Sequence, residues 1–256
     1  MSEFARYPSL AGRPVVISGG ASGIGASLVR AFAGQGARVG FVDIAADAGA
    51  TLATELTDAG HIVSFTPCDV TDIDAYKAAI GGFAATHGAA SVLVNNAAHD
   101  ERHDWRTVTS DEWDKRQAVN LKHAFFAIQA VAPGMAEAGG GSILNFGSIS
   151  WMIMSPDLPV YETAKAAAHG LTRTLAQALG QTGVRVNTIV PGWIMTERQK
   201  TLWLDEEGEK LIDASQALAG RVGPDDVARL ALFLASDDAA MISAQHFLID
   251  GGWANH

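Results

Sequence analysis

A single cysteine, Cys68, occurs in 256 residues. No internal disulfide can form, and a reducing compartment is the simpler setting. Basic residues are in deficit: 18 Lys and Arg against 28 Asp and Glu leave a formal charge of -10. Nucleic acid, which binds through cations that neutralise its phosphates, is therefore not an expected partner. An anionic membrane surface is disfavoured on the same ground. No stretch approaches the roughly 18 uninterrupted apolar residues of a membrane span. The opening Met1-Ser2-Glu3-Phe4-Ala5-Arg6-Tyr7-Pro8 has neither the basic nor the apolar region of a secretory leader. Together these absences point to a cytoplasmic enzyme.

What the chain has in quantity is glycine, 27 residues, within a composition that is 48% hydrophobic. That mixture suits a fold of buried strands joined to helices by tight turns. Short, β-branched apolar runs at Pro14–Ser18, Arg38–Asp43, Ile62–Thr66, Ser91–Asn95, Ser142–Asn145, Arg185–Val190 and Gln245–Ile249 read as strands. Helix-period segments near 23–35, 46–59, 72–87, 110–138, 159–181 and 224–235 separate them. Strands alternating with helices imply βαβ units, hence an α/β fold with a doubly wound, seven-stranded parallel sheet and helices on both faces. No linker or repeat interrupts the pattern, so one domain over 1–256 is expected. Thr109 with Glu112 has the spacing of a capping box opening the 110–138 helix, and Pro133-Gly134 should kink that helix or end it early. The irregular stretch 193–220 follows a strand end, where ligands bind in such sheets, and reads as a substrate lid.

The first strand runs into Ser18-Gly19-Gly20-Ala21-Ser22-Gly23-Ile24-Gly25 and then a helix. Glycines let a diphosphate approach the backbone, and a helix N-terminus favours its charge. Such a pattern can also be a mere turn; here its place between a strand and a helix favours the dinucleotide. Asp43 ends the second strand, placed to accept hydrogen bonds from both adenosine ribose hydroxyls and to repel a 2′-phosphate, which favours NAD over NADP. Its alternative role is a helix N-cap.

Tyr161 and Lys165, four apart, lie on one face of a helix. A phenol ionises near 10 and is a poor base at neutral pH. Bringing it to neutrality takes about 4 kcal/mol, roughly what an ammonium about 4 Å away supplies at an effective dielectric of about 20. Ser148 ends the fifth strand, where its hydroxyl can hold the reacting oxygen. A hydrolase elbow would need G-x-S-x-G, and Phe146 occupies the place of the first glycine.

The glycine turn, Asn95-Asn96-Ala97-Ala98, Asn120, Ser148, Tyr161-x-x-x-Lys165 and Pro191-Gly192 stand in the order of the short-chain dehydrogenase/reductase family, which the chain resembles over nearly its whole length. The resemblance implies that Tyr161 is the acid/base, Lys165 its activator and ribose ligand, and Ser148 the substrate-oxygen anchor. It makes Asn120 the residue that positions a proton-relaying water. It implies cofactor contacts at Gly19, Ser22, Gly23, Ile24, Gly25, Asp43, Asp69, Val70, Asn96, Ala98, Pro191, Ile194 and Thr196. Ser18 stands for the family's usual Thr and Ala98 for its usual Gly, the latter adding a methyl near the cofactor. The segments Asn145–Trp151, Tyr161–Lys165 and Ala235–Ala239 further resemble bacterial aldose 1-dehydrogenases of the D-xylose and L-arabinose type. The implied reaction is oxidation of a free sugar at C1 to its lactone, in a homo-oligomer, commonly a tetramer.

For the substrate, Ser150, Trp151 and Trp193 adjoin the catalytic strand ends, where the indoles can stack on a sugar ring or simply pack. The run His99-Asp100-Glu101-Arg102-His103-Asp104 is a solvated loop or a set of contacts to sugar hydroxyls. His99 and His103 lack a third ligand at metal-site spacing, so no metal is expected. Cys68 reads as a small buried residue. Two other readings remain: a 3-oxoacyl reductase, opposed by the acidic charge and Asp43, and a non-catalytic nucleotide sensor, opposed by the intact Ser-Tyr-Lys set.

Overall fold

The seven apolar runs all become strands in the computed structural model, which describes residues 4–254. Residues 1–3 and 255–256, the ends of the expected domain and the start of the segment read against a secretory leader, lie outside the described residues. The strands are β1 (Pro14–Ser18), β2 (Arg38–Asp43), β3 (Val63–Pro67), β4 (Val92–Asn95), β5 (Gly141–Phe146), β6 (Val184–Pro191) and β7 (His246–Ile249). Their order across the sheet is β3-β2-β1-β4-β5-β6-β7, and every pairing is parallel. The connection reverses direction between β1 and β4, which opens a crevice at the carboxyl ends of the central strands.

Alternation along the strands supplies a core on each side of the sheet. Val15 and Ile17 of β1 pack with Leu28 and Phe32 of α1 (Gly23–Gly34) and Leu232 of α9 (Pro224–Ala235). Val16 points the other way, into a cluster with Tyr76 and Ile80 of α3 (Ile73–His87) and Ile128 and Met135 of α5 (His123–Glu137). Two-sided burial explains why the strand runs are continuously apolar rather than alternating with polar residues. The second helix, α2 (Ala46–Asp58), covers the β2–β3 side, and α6 (Pro159–Leu179) carries Tyr161 and Lys165.

The segment 110–138 is not one helix. The capping box forms as expected, with Thr109 Oγ1 accepting from Glu112 N and the Glu112 carboxylate accepting from Thr109 N. It opens α4 (Ser110–Gln117), and a wide π-turn over Ala118–Lys122 precedes α5. Pro133 neither ends nor interrupts α5, which continues to Glu137. Pro133 and Gln129, the residue whose carbonyl loses its N–H partner, are both on the exposed face, where water replaces the lost bond. The break comes instead beside the crevice, at Asn120.

The stretch 193–220, expected to be irregular, holds two helices, α7 (Glu197–Leu202) and α8 (Glu206–Ser215). Each begins on a side-chain cap: Thr196 accepts from Gln199 N and Asp205 accepts from Gly208 N. Ile212 anchors α8 in an apolar cluster with Ile149, Val190 and Trp253, whereas α7 buries no residue.

Candidate active site

A cleft of about 2000 Å³ opens over the carboxyl ends of β1, β4, β5 and β6. The glycine turn forms one wall. Gly19 has φ +68°, and a side chain there would meet Ala97 Cα at 2.8 Å. A side chain at Gly25 would strike the Gly19 carbonyl oxygen at 1.8 Å, so the turn closes only with glycine. Ser18 Oγ accepts from Asn96 N and Ala97 N, and Asn96 Nδ2 donates to the Ser18 and Gly19 carbonyls at 3.1 and 2.8 Å. The Ser18 hydroxyl thereby ties β1 to β4, and Asn96 spends its amide on the turn rather than across the cleft.

Ser22 starts α1 without a side-chain cap bond. The first-turn N–H groups of α1 therefore remain available at the helix's positive end, as an anion requires. At the tip of β2 the Asp43 carboxylate accepts from Ala21 N and Ala45 N, both at 2.9 Å. It is held in place but is not the N-cap of α2, which is Ala45. Asp69, Val70 and Ala98 line the same end or floor of the cleft, with Asp69 Oδ1 accepting from Thr71 N and its hydroxyl. Ile24, Pro191, Ile194 and Thr196 are also on the wall. Thr196 touches the position a Gly23 side chain would occupy, bringing the start of α7 against the glycine turn. An open helix N-terminus, a glycine cradle and an immobilised carboxylate are the fittings of a dinucleotide site.

The three chemical side chains meet at the far end. Ser148 Oγ accepts from Ser150 N at 3.1 Å and stands near enough to the Tyr161 hydroxyl to favour its ionisation. Lys165 is 2% exposed, and its Nζ donates to the Phe146 carbonyl at 3.1 Å. Burial lowers the Lys165 ammonium to about 8, with Asp100 acting in the opposite direction. Tyr161 differs from the expectation of an activated phenol. Burial, then the charge of Asp100, pushes it above its ordinary value, against the smaller help of the Ser148 hydroxyl.

Several expected residues lie elsewhere. His103 does not line the cleft. Its Nδ1 donates to the Glu101 carbonyl and its Nε2 accepts from Val160 N, so it steadies the start of α6 instead of a sugar. Trp151 also lies outside the lining and stands edge-on to His169, ring centroids 5.2 Å apart. Asn120 is buried, and its amide is taken by main chain: Oδ1 accepts from His99 N, and Nδ2 donates to the carbonyls of His99 and Arg116. His99, Ser150 and Trp193 do line the cleft, and the buried Ser150 hydroxyl has no protein partner. With both His103 nitrogens engaged, His99 has no histidine ligand partner in the loop. Among the described residues no group of three or more His, Cys, Asp or Glu is placed to hold a metal.

Two contributors went unrecognised in the sequence, and a third, Asp100, stood out there only as part of the His99–Asp104 run. Trp253 lines the cleft beside Trp193, centroids 6.4 Å apart, on a turn held by the Asp250 carboxylate through Gly252 N and Ala254 N. His123 is fully buried behind Lys165; burial and that ammonium lower it to about 3, and its Nε2 donates to the Ala97 carbonyl. Asp100 reaches from the loop after β4 to α7. Nothing in the sequence around Trp253 or His123 marked them, since neither sits in a motif.

The fold is shared with known proteins. A family model described as enoyl-(acyl carrier protein) reductase matches residues 19–254, and the chain belongs to the short-chain dehydrogenase/reductase family. Among its relatives, the D-xylose 1-dehydrogenase of Caulobacter vibrioides is 49% identical over 249 residues, 97% of this chain and 98% of that one. "Probable galactose dehydrogenase GalD" of Rhizobium meliloti is 47% identical over 97% of each chain. A 7α-hydroxysteroid dehydrogenase solved with NADH superposes with a TM-score of 0.92 at 30% identity, covering 98% of this chain and 97% of that one. A gluconate 5-dehydrogenase from Burkholderia cenocepacia, solved with NADP and tartrate, gives 0.89 at 30% identity over 96% and 97%. No helix among the described residues is long and apolar enough to cross a membrane.

Proposed function

We propose that this chain is an NAD-dependent aldose 1-dehydrogenase, oxidising the C1 hydroxyl of a free sugar to the aldonolactone. The observation that carries the reading is the convergence of Ser148, Tyr161 and Lys165 in a cleft that also holds Ser150, Trp193 and Trp253. Relatives named for D-xylose and galactose support the sugar. NAD held along the glycine turn, with Asp43 at its ribose, would supply the hydride acceptor and a positive charge near the phenol. The Tyr161 oxygen takes the proton of the C1 hydroxyl, and Ser148 Oγ holds that same oxygen in place. Lys165, at about 8, stays mostly cationic at neutral pH and favours the phenolate electrostatically. The unpartnered Ser150 hydroxyl and the indoles of Trp193 and Trp253 offer a hydrogen bond and apolar faces to a polyol ring. Segment 193–220 acts as the lid over this pocket. We read the enzyme as cytoplasmic and as a homotetramer, which light scattering of the purified protein tests.

The deciding experiment is a rate comparison with NAD among pentoses, hexoses, their deoxy forms and simple secondary alcohols, followed by NADH absorbance. An aldose should be fastest, and each deoxy analogue of it should lose far more than one methylene's worth of selectivity. A hydrophobic alcohol or ketone turned over far above every aldose would defeat the sugar assignment and leave the family untouched.

A further inference from the structure

The loop after β4 fastens three parts of the site to one another. His99 is bound on both its N–H and its carbonyl by Asn120. Arg102 pairs with Asp157, just before α6, at 2.7 Å and stacks on Trp203 at the end of α7, 3.8 Å from the ring centroid. His103 N donates to the Asp157 carbonyl. Between these fastenings, Asp100 Oδ2 accepts from Gln199 Nε2 at 2.6 Å, and its Oδ1 lies 3.2 Å from an Arg198 guanidinium nitrogen. Asp100 lines the same cleft as Tyr161, and its side chain is only 22% exposed, so solvent screens its charge incompletely.

α7 depends on these polar contacts. It buries no residue, whereas its neighbour α8 is anchored by Ile212. An element with no buried apolar side chain belongs to the low-stability part of a fold and opens locally at small cost. Seating of α7 and the electrostatics of the cleft are thereby joined at one carboxylate.

Most other charges around the phenol are ion-paired without joining α7 to the rest of the structure. On the face of α4, Arg116 meets Glu101 of the loop. Arg102 meets Asp157, and Glu197 of α7 meets Lys200 of the same helix. On α6 itself, Lys165 is the buried cation, and the Glu162 carboxylate accepts from Ser155 N. His99 of the loop stands 4.0 Å from Glu101. Asp100 differs in that its cationic partner, Arg198, sits on the weakly held helix.

We propose that Asp100 is a positioning residue that couples seating of α7 over the cleft to proton release from Tyr161. With α7 seated, Arg198 offsets the carboxylate and the phenol can ionise. With α7 lifted, the uncompensated carboxylate opposes a second negative charge nearby and keeps the phenol protonated. The base is thus competent only under a closed cover. This inference rests on Tyr161 being the catalytic base; the electrostatic influence of Asp100 on both Tyr161 and Lys165 agrees with it.

The experiment is the pH profile of kcat at saturating NAD and the aldose turned over fastest in the substrate panel, for wild type, D100N, R198Q, the D100N/R198Q double variant and Y161F. The kcat profile reports groups ionising in the substrate complex. D100N should move the acidic limb to lower pH by about half a unit, about threefold in proton affinity, while raising KM because α7 loses its anchor. R198Q should move the limb to higher pH. The double variant should match D100N, since Arg198 acts through Asp100. An unmoved limb in D100N, or an R198Q shift that persists in the double variant, overturns the coupling while the Tyr161 assignment stands. If Y161F retains more than a tenth of wild-type kcat, the base assignment and the coupling fall together.

Discussion

The Lys165 ammonium stands over the face of the Tyr161 ring, 5.5 Å from its centroid, and gives its hydrogen bond to the Phe146 carbonyl. One buried cation therefore ties α6 to the end of β5 and bears on the phenol through space. Removing the two groups should have different consequences. Tyr161→Phe should leave fold and NAD affinity intact while lowering kcat below a tenth of wild type, because only the ionisable oxygen is lost. Lys165→Met should both slow turnover and weaken NAD. Steady-state kinetics with fluorescence titration of NAD separates the two patterns, and equal NAD affinity in wild type and Lys165→Met would remove lysine from the ribose.

The same lysine should cost stability in the protein without NAD. Its folded value, about 8, lies below the ordinary 10.5. Between those values the unfolded chain binds more protons, so the contribution to stability rises with pH across that window and is least favourable below pH 8. Lys165→Met should raise apoprotein stability at pH 7 by about 1–3 kcal/mol, and the gain should shrink toward pH 10.5. Thermal melts across that range check it; a loss of stability at pH 7 would show that the bond to Phe146 outweighs the burial of the charge.

Cofactor preference should follow Asp43. Its carboxylate is immobilised by two main-chain N–H groups, so it cannot swing away from a 2′-phosphate. kcat/KM should favour NAD over NADP by at least about tenfold, about 1.4 kcal/mol, and Asp43→Ala should shrink that ratio. A wild-type preference for NADP would contradict this account of the β2 tip.

Acid should unfold the protein earlier than its surface charges alone dictate. His123 is held at about 3 by burial and Lys165, and His169 at about 4 by burial and His246, on which it stacks at 4.0 Å. Their folded values are below the ordinary 6.5, so stability is lost as pH falls from 6.5 toward those values. His169→Phe should flatten the fall in Tm between pH 6.5 and 4 relative to wild type. An unchanged slope would remove this histidine from the acid response.

Much of this was legible where local chemistry and tertiary need agree. Thr109 and Glu112 gave a helix start to the residue, and the strand runs were readable because burial on both faces demands apolar residues throughout. Thr196-x-x-Gln199 and Asp205 carried the same kind of start signal, but their helices are short and α7 has no apolar stripe, so periodicity was silent there. Pro133 does not end its helix, because its cost depends on whether the orphaned carbonyl faces water, a tertiary fact. His103 and Trp151 had suitable chemistry and a suitable neighbourhood; what turned them from the cleft was a helix start to steady and a histidine to pack on. Trp253 belongs to no motif, and it and Asp100 act through partners about sixty and about a hundred residues away in the chain, respectively.

The wide turn at Ala118–Lys122 makes chain length itself a determinant of the site. It puts α4 and α5 out of helical phase, leaving α4 with no buried residue while α5 presents Ala127, Ile128, Val131 and Met135 to the sheet. Each residue of a regular helix accounts for about 100° of rotation. Loss of one codon within 118–122 would therefore swing Asn120 and all of α4 around the axis, releasing His99 and with it the loop that carries Asp100. Point substitutions on the outer face of this helix pair should be tolerated, whereas a single deletion between Gln117 and His123 should yield a folded protein without activity.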